Sequence, residues 1–355
     1  MKLARKTTVV ITLIFAVLLS FCSQPKKENV EEVVAEITTI EKKFHPSKGF
    51  IEVIDSSIEK LIDKEAKIEM LAEGFKWTEG PVWVPEGEYL LFSDIPNNKI
   101  VKWKEGEGAS LYVTPAGHSG TVDRTGETGS NGLMLNAKGQ LVLCQHTARQ
   151  IAIMSTELSN PTPQYTTITG EYEGKKFNSP NDLDIHSNGD IYFTDPPYGL
   201  EKGIDDPSKE LAFQGVYRWS AKDNSTQLLH KDLSRPNGIA LSPDEKTAYV
   251  ANSDAASAIW MAFDITEDGT FSNGRIFYDA TPDSKELPRM PDGMDVAEDG
   301  TIYATGPGGV YVFASSGKLL GRIRTGQNTA NCTIAGDGYL YMTADDYLIR
   351  VKLKS

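Results

Sequence analysis

Six times along this chain a polar residue is followed by a short alternating strand, a tight turn and a second strand rich in β-branched and aromatic residues. The units open at Glu79, Asn131, Asn181, Asn237, Asp292 and Asn331. In the third, Asn181-Asp182-Leu183-Asp184-Ile185 leads through Asn188-Gly189 to Ile191-Tyr192-Phe193-Thr194-Asp195. In the fifth, Asp292-Gly293-Met294 leads through Asp299-Gly300 to Ile302-Tyr303-Ala304-Thr305. Each unit carries a β-hairpin signature without helical spacing. Opening positions roughly forty to fifty-five residues apart leave room for a four-stranded antiparallel blade per unit. A linear stack of such sheets would expose two edges, whereas closure into a ring removes them. The pattern therefore predicts an all-β fold, a six-bladed β-propeller over residues 66–355, with Ile68 to Phe75 supplying the strand that closes the last blade.

The first 65 residues read differently. Met1 to Lys6 carries three cations, and Thr7 to Phe21 is an uncharged, largely apolar run too short for a comfortable bilayer span. Residues 1–21 are predicted to be a secretory signal peptide. Leu19-Ser20-Phe21-Cys22 resembles a bacterial lipobox, although Phe21 is bulkier than the small residue usual before the cysteine. Cys22 is the expected lipidation site, and the protein is expected to be exported as a periplasmic or outer-membrane lipoprotein whose membrane contact is that lipid. Residues 22–48, rich in Lys, Glu and Val without an apolar period, suit a solvated tether. Residues 49–65 place Ile51, Ile54, Ile58, Leu61 and Ile62 at spacings of three and four, predicting a short helix packed on the propeller.

In a propeller the innermost strands line a central channel, so equivalent positions of successive blades meet at one mouth. Glu79, Asn131, Asn181, Asn237 and Asp292, with Asn331 as a sixth position, are expected to form a ring of oxygen donors. Two carboxylates and several amide carbonyls, without Cys or His, suit a hard cation such as calcium or magnesium, while ligand softness disfavours zinc. Asn-Gly and Asp-Gly pairs are also ordinary turn formers, so each pair taken singly is equally suited to serving only its local backbone. Their repetition in register, ahead of a strand and apart from the hairpin turn, favours a shared role. Other chemistries fall away. The net charge of −13 opposes a nucleic-acid partner, and three cysteines with no CxxC pair exclude a disulfide framework. No GxSxG elbow occurs, and the five histidines form no HExxH spacing. Cys144 and Cys332 read as buried apolar residues of strands.

Around these positions the sequence resembles the gluconolactonase, regucalcin and diisopropyl-fluorophosphatase family of six-bladed propellers. The resemblance rests on Glu79-Gly80-Pro81-Val82-Trp83, Asn178-Ser179-Pro180-Asn181-Asp182, Phe193-Thr194-Asp195-Pro196-Pro197-Tyr198-Gly199, Arg235-Pro236-Asn237-Gly238 and Pro291-Asp292-Gly293-Met294, and covers Ile68 to Lys352. It implies a divalent metal held by Glu79, Asn181, Asn237 and Asp292, calcium first with magnesium or zinc as alternatives. It also implies hydrolysis of lactones or related esters, hence a small-molecule substrate. Asn131 and Cys144-Gln145-His146 look like the gluconolactonase branch, with Gln145 where a Glu is commoner. Asn331-Cys332 stands where the fluorophosphatase has a histidine, which weighs against phosphotriester chemistry.

A bound cation can polarise a lactone carbonyl, so hydrolysis then needs one well-placed base. Asp292, the aspartate of the ring, is the expected catalytic residue, acting as base or nucleophile, with Glu79 a charged ligand. Asn131, His146 and Asp195 are expected on the substrate side, Asp195 being equally placed to cap the Pro196-Pro197 turn. The rival reading is a non-catalytic propeller that binds a protein, a sugar or calcium. Specificity is expected to rest on the loops Pro115 to Ser130 and Leu200 to Leu211.

Overall fold

The computed structural model describes residues 49–118 and 126–354, so the signal, Cys22 and the tether lie outside the described residues. Those residues form a six-bladed β-propeller of antiparallel sheets. Blade 1 runs outward through Thr78–Val84, Tyr89–Asp94, Lys99–Lys104 and Gly108–Val113, and blade 2 through Ser130–Leu135, Leu141–Gln145, Gln150–Met154 and Tyr165–Thr169. Blade 3 comprises Leu183–Ile185, Ile191–Asp195, Gly215–Ser220 and Ser225–His230, and blade 4 comprises Pro236–Leu241, Thr247–Asn252, Ile259–Ile265 and Phe271–Asp279. Blade 5 begins with Met294–Val296, Ile302–Gly306, Gly309–Phe313 and Leu319–Arg324. Blade 6 takes Thr329–Ile334, Tyr339–Ala344 and Tyr347–Lys352 from the C-terminal end, and its outermost strand is Ile68–Glu73, pairing Ile68 with Val351. The two ends of the propeller are thus hydrogen-bonded into one sheet, which removes the edges a linear array would expose.

Residues 49–65 correct the helix expected there. Phe50–Val53 is a strand that extends blade 5, pairing with Leu319–Arg324, and Ser56–Lys60 forms a single 3₁₀ turn. Ile51 points inward and its neighbour Phe50 outward, as adjacent residues of a strand do, and Val53 is exposed at the strand's end. Glu52 is held by Arg324 Nε at 2.6 Å and lies 3.5 Å from Arg322 Nη1. An open sheet edge carrying two arginines offered this segment backbone and charge partners that its three-and-four spacing did not reveal. Ile58 and Ile62 are buried as that spacing suggests, beneath the turn.

The core lies between blades. Val142, Cys144 and Ile151 of blade 2 pack on Leu183, Phe193 and Tyr217 of blade 3, and Trp260 of blade 4 meets Tyr311 and Phe313 of blade 5. A second strand covered on both faces is buried along its whole length, as in Tyr89–Asp94 and Ile191–Asp195. Each large apolar side chain so buried stabilises the fold by about 2 kcal/mol. Cys144 and Cys332 are unpaired and buried in these strands, and burial pushes both thiols well above their usual range, so they pack as apolar groups.

Candidate active site

The innermost strand of every blade starts at the same end of the channel. Glu79, Asn131 and Asn237 sit in the first two residues of theirs. Asn181 and Asp292 precede their shorter strands but continue the ladder, donating N–H bonds to Thr194 O at 2.9 Å and Thr305 O at 3.0 Å. These five residues line a single cavity of about 350 Å³, together with Trp77, Glu127, Tyr198, Arg235 and Arg289. Asn331 does not join them: its Oδ1 accepts the Cys332 N–H at 2.8 Å, and its side chain packs against Gly293. The ring therefore has five members at the cavity.

The glycines after the opening residues decide between turn and channel. Gly139, Gly189, Gly300 and Gly338 lie in the hairpin turns with φ of 70°, 93°, 83° and 80°. Gly132, Gly238 and Gly293 have no such backbone; they are glycine because the next blade presses on them. A Cβ on Gly132 would overlap Asp182, one on Gly238 the Asp292 carbonyl, and one on Gly293 the Asn331 side chain. Hydroxyls of the second strands add stitches between blades. Ser93 Oγ donates to Asn131 O at 2.8 Å, Thr194 Oγ1 to Asn237 O at 2.6 Å and Thr305 Oγ1 to Ala330 O at 2.8 Å. Asn131 and Asn237 are thereby fixed through their own carbonyls, which leaves their side chains free to serve the mouth.

Both ring carboxylates are almost sealed from water, Glu79 at 5% and Asp292 at 4% exposure. Burial, and then the charge of Asp292, push the Glu79 carboxyl well above the usual carboxylate range. Burial pushes Asp292 up to about 7, against the opposing pull of Arg289, whose Nη2 donates to Asp292 Oδ2 at 2.7 Å; the charge of Glu127 raises it further. Asn131 Oδ1 is buried without a hydrogen-bond partner. Two buried carboxyls on one cavity, the charge of one opposing that of the other, are what a bound cation would compensate, so the residues fit one. Among the described residues no three His, Cys, Asp or Glu side chains are grouped to hold a metal, so an ion here would depend on asparagine oxygens beside the two carboxylates.

Two residues expected on the substrate side are elsewhere. Asp195 is fully buried, its oxygens accepting the backbone N–H groups of Asn178 at 2.8 Å and Ser179 at 2.7 Å. Asp94 does the same for Lys76 at 3.1 Å, and Asn252 for Arg235 at 2.9 Å, so in blades 1, 3 and 4 this position ties down the loop entering the blade. His146 is also fully buried and is separated from the cavity by Glu127, whose Oε2 lies 3.3 Å from His146 Nδ1. The cavity adds Trp77, Glu127, Arg235 and Arg289, which repeat-based reading did not single out. Arg235 and Arg289 had one signal, a cation two or three residues ahead of the opening residue in blades 4 and 5. Glu127 lies within the Pro115 to Ser130 loop.

Residues 77–345 match the family described as SMP-30/Gluconolactonase/LRE-like region. A gluconolactonase of Zymomonas mobilis is 37% identical over 314 residues, covering 86% of this chain and 87% of that protein. The solved structure of a Xanthomonas campestris gluconolactonase aligns with a TM-score of 0.72 at 30% identity, over 86% of this chain and 95% of that one. The structure of regucalcin, a calcium-binding protein from Agrobacterium tumefaciens, shares the fold, with a TM-score of 0.61 at 14% identity over 81% of this chain and 94% of that one. On the match across its blades and on these relatives, the chain belongs to the SMP-30/gluconolactonase/LRE-like family.

Proposed function

We propose that this protein is a divalent-cation-dependent hydrolase of sugar lactones. The observation that carries the reading is the placement of Glu79 and Asp292, both buried, on one cavity with three asparagines of the repeat. Relatives described as gluconolactonases support the substrate class. Glu79, Asn181, Asn237 and Asp292 are the residues to hold the cation, calcium being the best match to an all-oxygen donor set. When bound, the cation supplies Lewis-acid polarisation of the lactone carbonyl.

The remaining chemistry belongs to side chains. Asp292, with a carboxyl poised near neutrality in the protein alone, accepts the proton of the attacking water, and a base does this best when its pKa lies near the operating pH. Asn131 Oδ1, buried and unpartnered, accepts a hydrogen bond from a substrate hydroxyl. Arg289 steadies Asp292, and Trp77 beneath its guanidinium at 4.5 Å keeps that cation at the mouth.

The test is hydrolysis of gluconolactone with calcium and with a chelator. Activity should appear with calcium and be lost on chelation; chelator-resistant activity rejects the cation, and no hydrolysis in either condition leaves a binding propeller. From the signal peptide expected over residues 1–21 we further propose export and lipidation of Cys22, tested by fatty-acid labelling, where an unlabelled secreted protein would remove the anchor and leave the chemistry intact.

A further inference from the structure

Two arginines line the cavity, and their circumstances differ. Arg289 is committed, donating to Asp292 Oδ2 at 2.7 Å and lying 4.5 Å over Trp77. Arg235, two residues ahead of Asn237, is exposed, and its guanidinium forms no ion pair among the described residues. The fold does not call for an arginine there. Ser179 holds the same place in blade 3, two residues ahead of Asn181. Asp195 Oδ1 accepts the Ser179 N–H at 2.7 Å just as Asn252 Oδ1 accepts that of Arg235 at 2.9 Å. A serine backbone serves that bond equally well, so the guanidinium answers to something other than the loop. Its base is nonetheless firm, with Pro236 following and the Ser253 N–H donating to the Arg235 carbonyl at 2.9 Å.

The acids near Arg235 are engaged elsewhere. Asp254, close enough to feel its charge, accepts from Ser234 Oγ at 2.6 Å and from the Ala256 N–H at 2.9 Å. On the cavity itself Asp292 has Arg289, Glu127 has His146 at 3.3 Å, and Glu79 shares the proposed cation with Asp292. An open positive charge is left on the wall beside Tyr198 and Ser253, whose hydroxyls pair with each other. Of the two protons in such a pair one is used internally and the other is available to a ligand. A guanidinium fork beside a hydroxyl donor is the chemistry that recognises a carboxylate or a phosphate.

We propose that the lactone taken by this site carries an anionic group, a carboxylate or a phosphate on its terminal carbon, and that Arg235 is the residue that selects it. This rests on the lactonase reading above and names its substrate more closely. Arg235 supplies charge and paired N–H donors to a group that stays unreacted, so no bond forms or breaks there.

Wild type, Arg235→Gln and Arg235→Lys are compared with calcium on gluconolactone, which is neutral, on glucarolactone, which carries a carboxylate, and on 6-phosphogluconolactone. The readout is kcat/KM on each acidic lactone divided by that on gluconolactone, a ratio that general damage to the site does not move. Wild type should favour one of the acidic lactones. Arg235→Gln should lower that ratio by at least about tenfold, chiefly through KM, the scale of a lost hydrogen bond between charged groups. Which acidic lactone shows the drop tells carboxylate from phosphate. Arg235→Lys, which keeps the charge without the fork, should lose less. The side chain is exposed, so both variants should fold. Unchanged ratios in both variants, or a wild type that favours gluconolactone over both acidic lactones, overturn the proposal and leave the lactonase reading standing. A wild type that opens none of the three lactones overturns both.

Discussion

Arg289 donates from Nη2 to Oδ2 of Asp292 at 2.7 Å, three residues along the same loop. To do so it holds a left-handed backbone, φ 81°, which for a long side chain costs on the order of 1–3 kcal/mol. Its guanidinium is braced 4.5 Å over Trp77, so blade 1 supports a contact made in blade 5. Strain kept at this point accords with the role proposed for the Arg289–Asp292 pair.

Arg289 pulls the Asp292 carboxyl down against burial, so removing the guanidinium must let its pKa rise. A base with a higher pKa stays protonated to higher pH. In Arg289→Gln the acidic limb of the kcat/KM profile should therefore move toward alkaline pH, by about one unit given the usual effect of an adjacent opposite charge. A limb left at its wild-type position would show that Asp292 is not the titrating base.

Several carboxyls of blade 3 are held above their ordinary values by burial, Asp182 to about 7, Asp184 to about 6 and Asp195 to about 7. A carboxyl with a folded pKa above its unfolded one binds protons more tightly when folded. Its contribution to stability is full below the unfolded pKa and is lost as pH rises through the folded value. The metal-free protein should thus melt at higher temperature at pH 5 than at pH 8. Calcium should stabilise most at the alkaline end, where Glu79 and Asp292 have no protons to surrender. Scanning calorimetry across this range checks both signs; a melting temperature that falls steadily from pH 8 to pH 5 would contradict them.

Gly238 lies against the Asp292 carbonyl, and a Cβ there would overlap it. Gly238→Ala should therefore destabilise by about 2 kcal/mol and reduce activity, since the displaced backbone carries Asp292. Gly139→Ala has open space around it and should act only through its φ of 70°, lowering the denaturation midpoint while leaving kcat unchanged. Urea midpoints and kcat for the two variants separate a packing glycine from a turn glycine; similar kcat losses in both would refute the distinction.

The propeller is legible in the chain because each blade repeats one pattern and the ring brings residues such as Glu79 and Asp292 to one cavity by register alone. Position in the repeat does not reveal side-chain direction. Asp195 and Asn331 occupy promising places, yet one binds backbone amides and the other its neighbour's N–H, because a buried capping group and a substrate-facing one are the same residue types. Glu127 stands in a connection that has no period, so only its place at the cavity exposes it, whereas Arg289 carries the fainter signal of a cation just ahead of an opening residue. Phe50–Val53 carries apolar spacing compatible with either helix or strand, and the open edge of Leu319–Arg324 selects the strand.

Asp292 is the residue proposed above as the base of a cation-assisted lactonase. Asp292→Asn keeps the volume and one oxygen donor while removing the proton acceptor, and it relieves a buried charge, so the fold should persist. The decisive measurement is the rate of gluconolactone hydrolysis by this variant beside wild type, both saturated with calcium as judged by titration. The variant should be slower by a factor of at least about 100, the scale of lost general-base assistance. A calcium-saturated Asp292→Asn protein that opens the lactone at the wild-type rate would contradict the proposed role.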